Sequence, residues 1–128
     1  MSAKRILIVD DNASNLRLAG YVLTGAGFLV ETALDAARAT ALLGHFQADL
    51  ILMDIQMPGT DGLTLMRQFK ADAAVRHIPM IAFTAYAMKG DEARLRAAGC
   101  DGYLSKPIVV ATFAAEVSAF LDPVRPVS

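Results

Sequence analysis

Three acids and a lysine sit where apolar runs stop. Asp10 and Asp11 follow ILIV (Ile6 to Val9), and Asp54 follows LILM (Leu50 to Met53). Thr84 closes MIAF, and Ser105-Lys106 closes a short run at Tyr103-Leu104. A run of four apolar residues bounded by turn signals suits a strand buried on both faces. In a parallel sheet all these groups would gather at one edge. Three carboxylates in one cleft repel each other, and unpaired buried charge costs several kcal/mol. A divalent cation resolves that repulsion. Mg2+ suits it best, as a hard ion that takes oxygen ligands and keeps a position for a phosphate oxygen. Lys106 adds a compact positive charge and Thr84 a hydroxyl, which completes a cradle for a phosphoryl group. The obvious nucleophile is a carboxylate, giving an aspartyl phosphate.

The elements that must position these residues follow from the periodicity. Leu16, Ala19, Val22, Leu23 and Ala26 recur at helical spacing, and Gly27 marks a stop. FLVETA (Phe28 to Ala33) predicts a second strand. Asp35 is placed to cap a helix whose Ala39, Leu42, Leu43 and Phe46 share a face. A third strand covers Leu50 to Met53, and a helix runs from Gly62 to Lys70, its N-cap filled by Asp61. A fourth strand ends near Thr84, and a more polar helix spans Lys89 to Ala98. A short fifth strand lies within DGYLSKP. The last helix carries Val110, Phe113, Val117, Phe120 and Leu121. Five β-α units predict an α/β fold, a flavodoxin-like (βα)5 doubly wound parallel sheet of order 2-1-3-4-5. Its site lies beyond the carboxyl ends of the strands, where strands one and three adjoin.

Composition narrows the classes. The 128 residues suit one domain, with 55% hydrophobic and a formal net charge of -1. That balance gives no reason to expect nucleic acid or an anionic membrane as partner. No apolar run approaches the ~20 residues of a membrane span. Cys100 is the single cysteine, so no internal disulfide forms, and it is expected as a small hydrophobe. His45 and His77 lack metal-ligand spacing. Cytoplasmic residence is the default.

Together, DD after strand one, D-x-x-x-P-G-x-D-G after strand three, T-A after strand four and K-P after strand five resemble the receiver domain of two-component response regulators. The resemblance runs from Lys4 to about Leu121. The stretch from His77 to Ile108 is similar to the division-control (DivK-like) single-domain regulators. The resemblance implies a phosphorelay switch that is no enzyme beyond its own phosphorylation and dephosphorylation. It implies Asp54 as phosphoacceptor. Mg2+ would be held by Asp10, Asp11, Asp54 and the backbone carbonyl of Gln56. Thr84 and Lys106 would contact the phosphoryl group. Tyr103 would swing with Thr84 as an aromatic switch, and Pro107 would follow a cis bond. The phosphodonor, a histidine kinase or histidine phosphotransferase, would dock on the first helix and the loop after strand five, near Asn15, Leu16, Leu18, Tyr21, Pro107 and Ile108. Gln56 and Tyr86 would flank the attacking water and tune dephosphorylation, with the Tyr86 ring prolonging the phosphorylated state.

Other readings compete. Asn12 and Asn15 also suit helix caps. A Mg2+-dependent phosphohydrolase of the aspartyl-phosphate type would want an acid-base Asp two residues after the nucleophile, and Gln56 stands there. A flavin or nucleotide module would meet repulsion from Asp10 and Asp11. A docking module without phosphorylation would not need the full polar set. The receiver is expected over residues 1–122, with 123–128 as a tail. The start resembles a natural one, and output through docking of a monomer is expected.

Overall fold

The computed structural model describes residues 3–55, 62–84 and 95–121. The expected helix start at Lys89, and positions Gln56, Asp61 and Tyr86, lie outside the described residues. The strands are β1 (Arg5–Val9), β2 (Leu29–Ala33), β3 (Leu50–Asp54), β4 (Met80–Thr84) and β5 (Gly102–Ser105). Among the described residues the helices are α1 (Ala13–Gly25), α2 (Ala36–Leu43), α3 (Gly62–Ala71) and α4 (Val110–Leu121), and residues 95–97 are helical as well. All strand pairs are parallel, in the expected order β2-β1-β3-β4-β5.

The unbroken apolar strands reflect two covered faces. Leu7, Val9, Ile51, Met53, Met80 and Ala82 share one core with Ala39, Leu65, Met66 and Phe69. Ile6, Ile8, Leu50, Leu52, Ile81 and Phe83 share the other with Leu16, Ala19, Leu23, Phe113 and Val117. Successive strand residues point to opposite faces, so the inner strands β1, β3 and β4 need apolar side chains along nearly their whole length, whereas the edge strands β2 and β5 keep exposed positions. Each such Leu or Ile contributes about 1.5–3 kcal/mol on burial.

Local chemistry sets the ends. Asn12 caps α1 by accepting the Asn15 backbone N–H at 3.0 Å. Asp35 caps α2 by accepting that of Arg38 at 2.8 Å, as its position predicts. At the other end of α1, Ala26 N–H bonds back to the Val22 and Leu23 carbonyls, and Gly27 takes a φ of +100°. Phe28 N–H also returns to the Leu23 carbonyl, at 3.1 Å. Phe28 therefore closes the helix, and β2 begins one residue later than its apolar character predicts. Likewise α2 stops at Leu43, and Phe46 packs on the core from the turn that follows.

Gly62 opens α3 against the exit of β3. A Cβ there would overlap the Asp54 carbonyl oxygen and come within 2.6 Å of Ile55 Cα. Both are backbone, so neither can yield cheaply. Gly62→Ala is expected to cost about 2–3 kcal/mol, the upper part of the range for overpacking. Urea denaturation followed by circular dichroism checks this. A loss below ~0.5 kcal/mol, the ordinary scatter of surface changes, would show that α3 can back away freely.

Cys100 is half-buried beside the first core, and burial pushes its thiol up from the ordinary range. It packs as the small hydrophobe its sequence context predicts. No helix among the described residues is long and apolar enough to cross a membrane.

Candidate functional site at the carboxyl edge of the sheet

Strand register brings the acids together. Val9 lies opposite Met53, so Asp10 and Asp54, one residue further on, emerge side by side. Asp10 is fully buried and Asp54 is 3% exposed, while Asp11 is exposed. One carboxylate oxygen from each of Asp10, Asp11 and Asp54 lies within 4.8 Å of the others. Among the described residues this is the one such grouping of metal-type ligands. Three hard oxygens at that spacing, with one acid open to solvent, fit a small divalent cation that keeps its other positions for water or substrate.

Lys106 reaches in from the end of β5. Its Nζ lies 3.0 Å from Asp10 Oδ2 and 3.4 Å from Asp54 Oδ2. It also stands 5.2 Å from the centre of the Phe83 ring, which rests in turn against Phe113 at 5.7 Å. The ring gives the ammonium an apolar floor with a favourable quadrupole. The Lys106-Pro107 bond is cis. Thr84 ends β4 opposite Ser105, so its backbone stands at the same edge. Tyr103 is 38% exposed on β5, at the outer side of the sheet.

Asp10 is held closely. Its Oδ1 accepts the Asn12 backbone N–H at 2.9 Å, and its Oδ2 accepts the Asn15 side-chain amide at 3.4 Å. The expected site thus assembles at Asp10, Asp11, Asp54 and Lys106. Leu16 does not join the docking face expected of it. It is 6% exposed and packs in the core under α1. Leu18 and Tyr21 stand out instead, at 39% and 79% exposed. Helical spacing gave two leucines two residues apart, and only contact with the sheet decides which one turns inward. The part played by Phe83, and the turn of the Asn15 amide toward Asp10, were not anticipated. The spacing of Asp10, Asn12 and Asn15 carried a signal for the amide.

The sequence pattern of the response regulator receiver domain matches residues 6–118. The chain belongs to the response regulator receiver family. The polar-differentiation response regulator DivK of Brucella anthropi is 42% identical over 118 residues, covering 92% of this chain and 96% of that protein. DivK of Brucella ovis gives the same identity and coverage. Among solved structures, the chemotaxis protein CheY4 of Vibrio cholerae matches with a TM-score of 0.86 at 26% identity, covering 91% of this chain and 98% of that one. A CheY-like receiver domain protein from Methanospirillum hungatei matches with a TM-score of 0.84 at 30% identity, covering 94% and 95%. This receiver is therefore a phosphorylation-dependent signalling switch of the two-component type. Receiver domains generally bind Mg2+, and the acidic trio is suited to it.

Proposed function

We propose that this receiver takes a phosphoryl group onto Asp54 from a phosphohistidine of a histidine kinase or histidine phosphotransferase. The observation that carries the reading is Asp54 itself. It is a nearly buried carboxylate at the end of a central strand, with the Lys106 ammonium 3.4 Å away and two further acids within reach of one cation. An Asp54 oxygen attacks phosphorus, the P–N bond to the imidazole breaks, and its electron pair returns to the ring nitrogen. Bound by Asp10, Asp11, Asp54 and the Gln56 carbonyl, Mg2+ would neutralise charge on the phosphoryl oxygens. Lys106 turns from the carboxylates to a phosphoryl oxygen, and the Thr84 hydroxyl donates to another. Tyr103, half-exposed before transfer, follows Thr84 inward and changes the surface that partners meet. Gln56 and Tyr86 flank the water that ends the signal, and the bulk of Tyr86 prolongs it.

The docking face for the phosphodonor combines Leu18 and Tyr21 of α1 with Pro107, Ile108, Val109 and Val110. Val109 and Val110 are 56% and 59% exposed, and α1 packs against α4, so the two groups belong to one side of the molecule. The occupant is a helix that presents a phosphohistidine. We take residues 1–122 as one receiver unit, in the cytoplasm and monomeric, with its output by docking. It acts on no substrate other than its own phosphodonor and its own acyl phosphate.

Incubation of the purified protein with acetyl phosphate and Mg2+ tests the reading. The expected product is one phosphoryl group per chain, mapped to Asp54 by borohydride reduction and mass spectrometry. Steady turnover of a general phosphomonoester would instead favour a phosphohydrolase.

A further inference from the structure

Asp10 and the first turn of α1 form a closed ring of hydrogen bonds. The Asn12 N–H donates to Asp10 Oδ1 at 2.9 Å, the Asn15 N–H donates to Asn12 Oδ1 at 3.0 Å, and the Asn15 side-chain amide donates to Asp10 Oδ2 at 3.4 Å. Capping needs only the second of these bonds, and Asn12 supplies its acceptor. The Asn15 carboxamide is therefore not used in ending the helix. It is half-buried and turned toward a carboxylate that is wholly buried.

Among the described residues, Asp10 Oδ2 has two donors, Asn15 and Lys106, the latter at 3.0 Å. Lys106 is the stronger partner, being charged and closer. It is also the group that must turn away when a phosphoryl oxygen competes for it. At that moment Oδ2 keeps Asn15 alone among these two. Oδ1 stays tied to the Asn12 N–H, but with no donor on Oδ2 the carboxylate would pivot about that bond toward whichever positive charge remained, and the oxygen spacing of the acidic trio would change. A neutral amide on a helix turn does not move with the phosphoryl group.

We propose that Asn15 is a positioning residue. Its carboxamide holds the Asp10 carboxylate in the orientation that binds the divalent cation, and it keeps that orientation when Lys106 is engaged elsewhere. The proposal rests on the site being a Mg2+-dependent phosphoacceptor. Donors behind a metal ligand commonly govern affinity by ~10–100-fold. At 3.4 Å the Asn15 bond is long, so an effect of about 5- to 10-fold is expected, at or just below the lower limit of that range.

The test is a MgCl2 titration of the metal-free, 15N-labelled full chain, read by NMR. Asn15→Leu keeps the branching and the number of side-chain heavy atoms and removes the donor, and leucine is a good helix former. Asn15→Gln keeps a carboxamide. In the wild type, the Asn15 side-chain amide signals are expected to shift with the same midpoint as the backbone signals of Asp10 and Asp11. Asn15→Leu is expected to raise the Mg2+ dissociation constant about 5- to 10-fold, with dispersed spectra that show an intact fold. Asn15→Gln is expected to recover at least part of that loss. Wild-type affinity in Asn15→Leu would overturn the positioning role while leaving the Mg2+ site standing. Equal losses in both variants, with the wild-type Asn15 amide signals unmoved by Mg2+, would assign the effect to the helix turn and also overturn it. A wild type that binds no Mg2+ would overturn the phosphoacceptor reading, and this proposal with it.

Discussion

Asp54→Asn is expected to lose phosphoryl labelling by acetyl phosphate or by a phosphorylated kinase. The initial rate should fall by more than about 10³-fold, because a nucleophile has no ready substitute within its own site. The amide keeps the size of the side chain and its place at the end of β3, so the fold should persist. Removing one of three crowded carboxylates should leave the metal-free protein at least as stable as the wild type. Of the two acids that remain, Asp10 is already engaged through both oxygens, to Asn12, Asn15 and Lys106. Asp11 is exposed and lies outside the pairing with Lys106, which spans Asp10 and Asp54. Neither is poised to replace Asp54. Labelling in the presence of Mg2+, with the modified peptide located by mass spectrometry, measures this. Full stoichiometric label in the variant, on any residue, would refute the assignment.

Lys106→Met is expected to act chiefly on stability, and in a Mg2+-dependent way. The ammonium bridges Asp10 and Asp54 at 3.0 and 3.4 Å, and its side chain is only 18% exposed. Methionine keeps the chain length and can lie over Phe83, so packing changes little. Two buried carboxylates would then face each other without their cation. Removing one partner of a buried pair costs about 3–5 kcal/mol, and partial exposure of Lys106 places the expected loss near ~3 kcal/mol without metal. Mg2+ stabilises whichever form has the greater unrelieved negative charge. Saturating Mg2+ should therefore raise the unfolding free energy of the variant more than that of the wild type. Paired urea titrations, with and without Mg2+, followed by circular dichroism, measure both halves. A loss of the same size in the two conditions would show that Lys106 is not what balances the acids in the metal-free protein.

The order of the elements, the parallel sheet and the meeting of Asp10, Asp11, Asp54 and Lys106 were legible in the sequence. Each rests on local signals that survive folding unchanged. Apolar runs such as Ile6 to Val9 and Leu50 to Met53 can only be satisfied between two helical layers. In parallel strands the residue after each run must leave at the same edge. Other features were decided by contacts that no local pattern carries. Leu16 and Leu18 have the same chemistry, and only the way α1 rests on the sheet buries the first and exposes the second. Phe28 has the character of a strand residue, yet its N–H closes α1 because the Leu23 carbonyl lies 3.1 Å away. Gly62 is an ordinary helix-start glycine in the sequence, and its need for no side chain comes from the backbone of Asp54 and Ile55. The placing of Lys106 between two acids and above Phe83, and the turn of the Asn15 amide onto Asp10, likewise join residues from separate elements or turns. Composition and spacing fix which groups arrive at the site. The rotation of each helix about its axis, and the rotamer of each polar side chain, follow from packing and charge, which act only once the chain has closed.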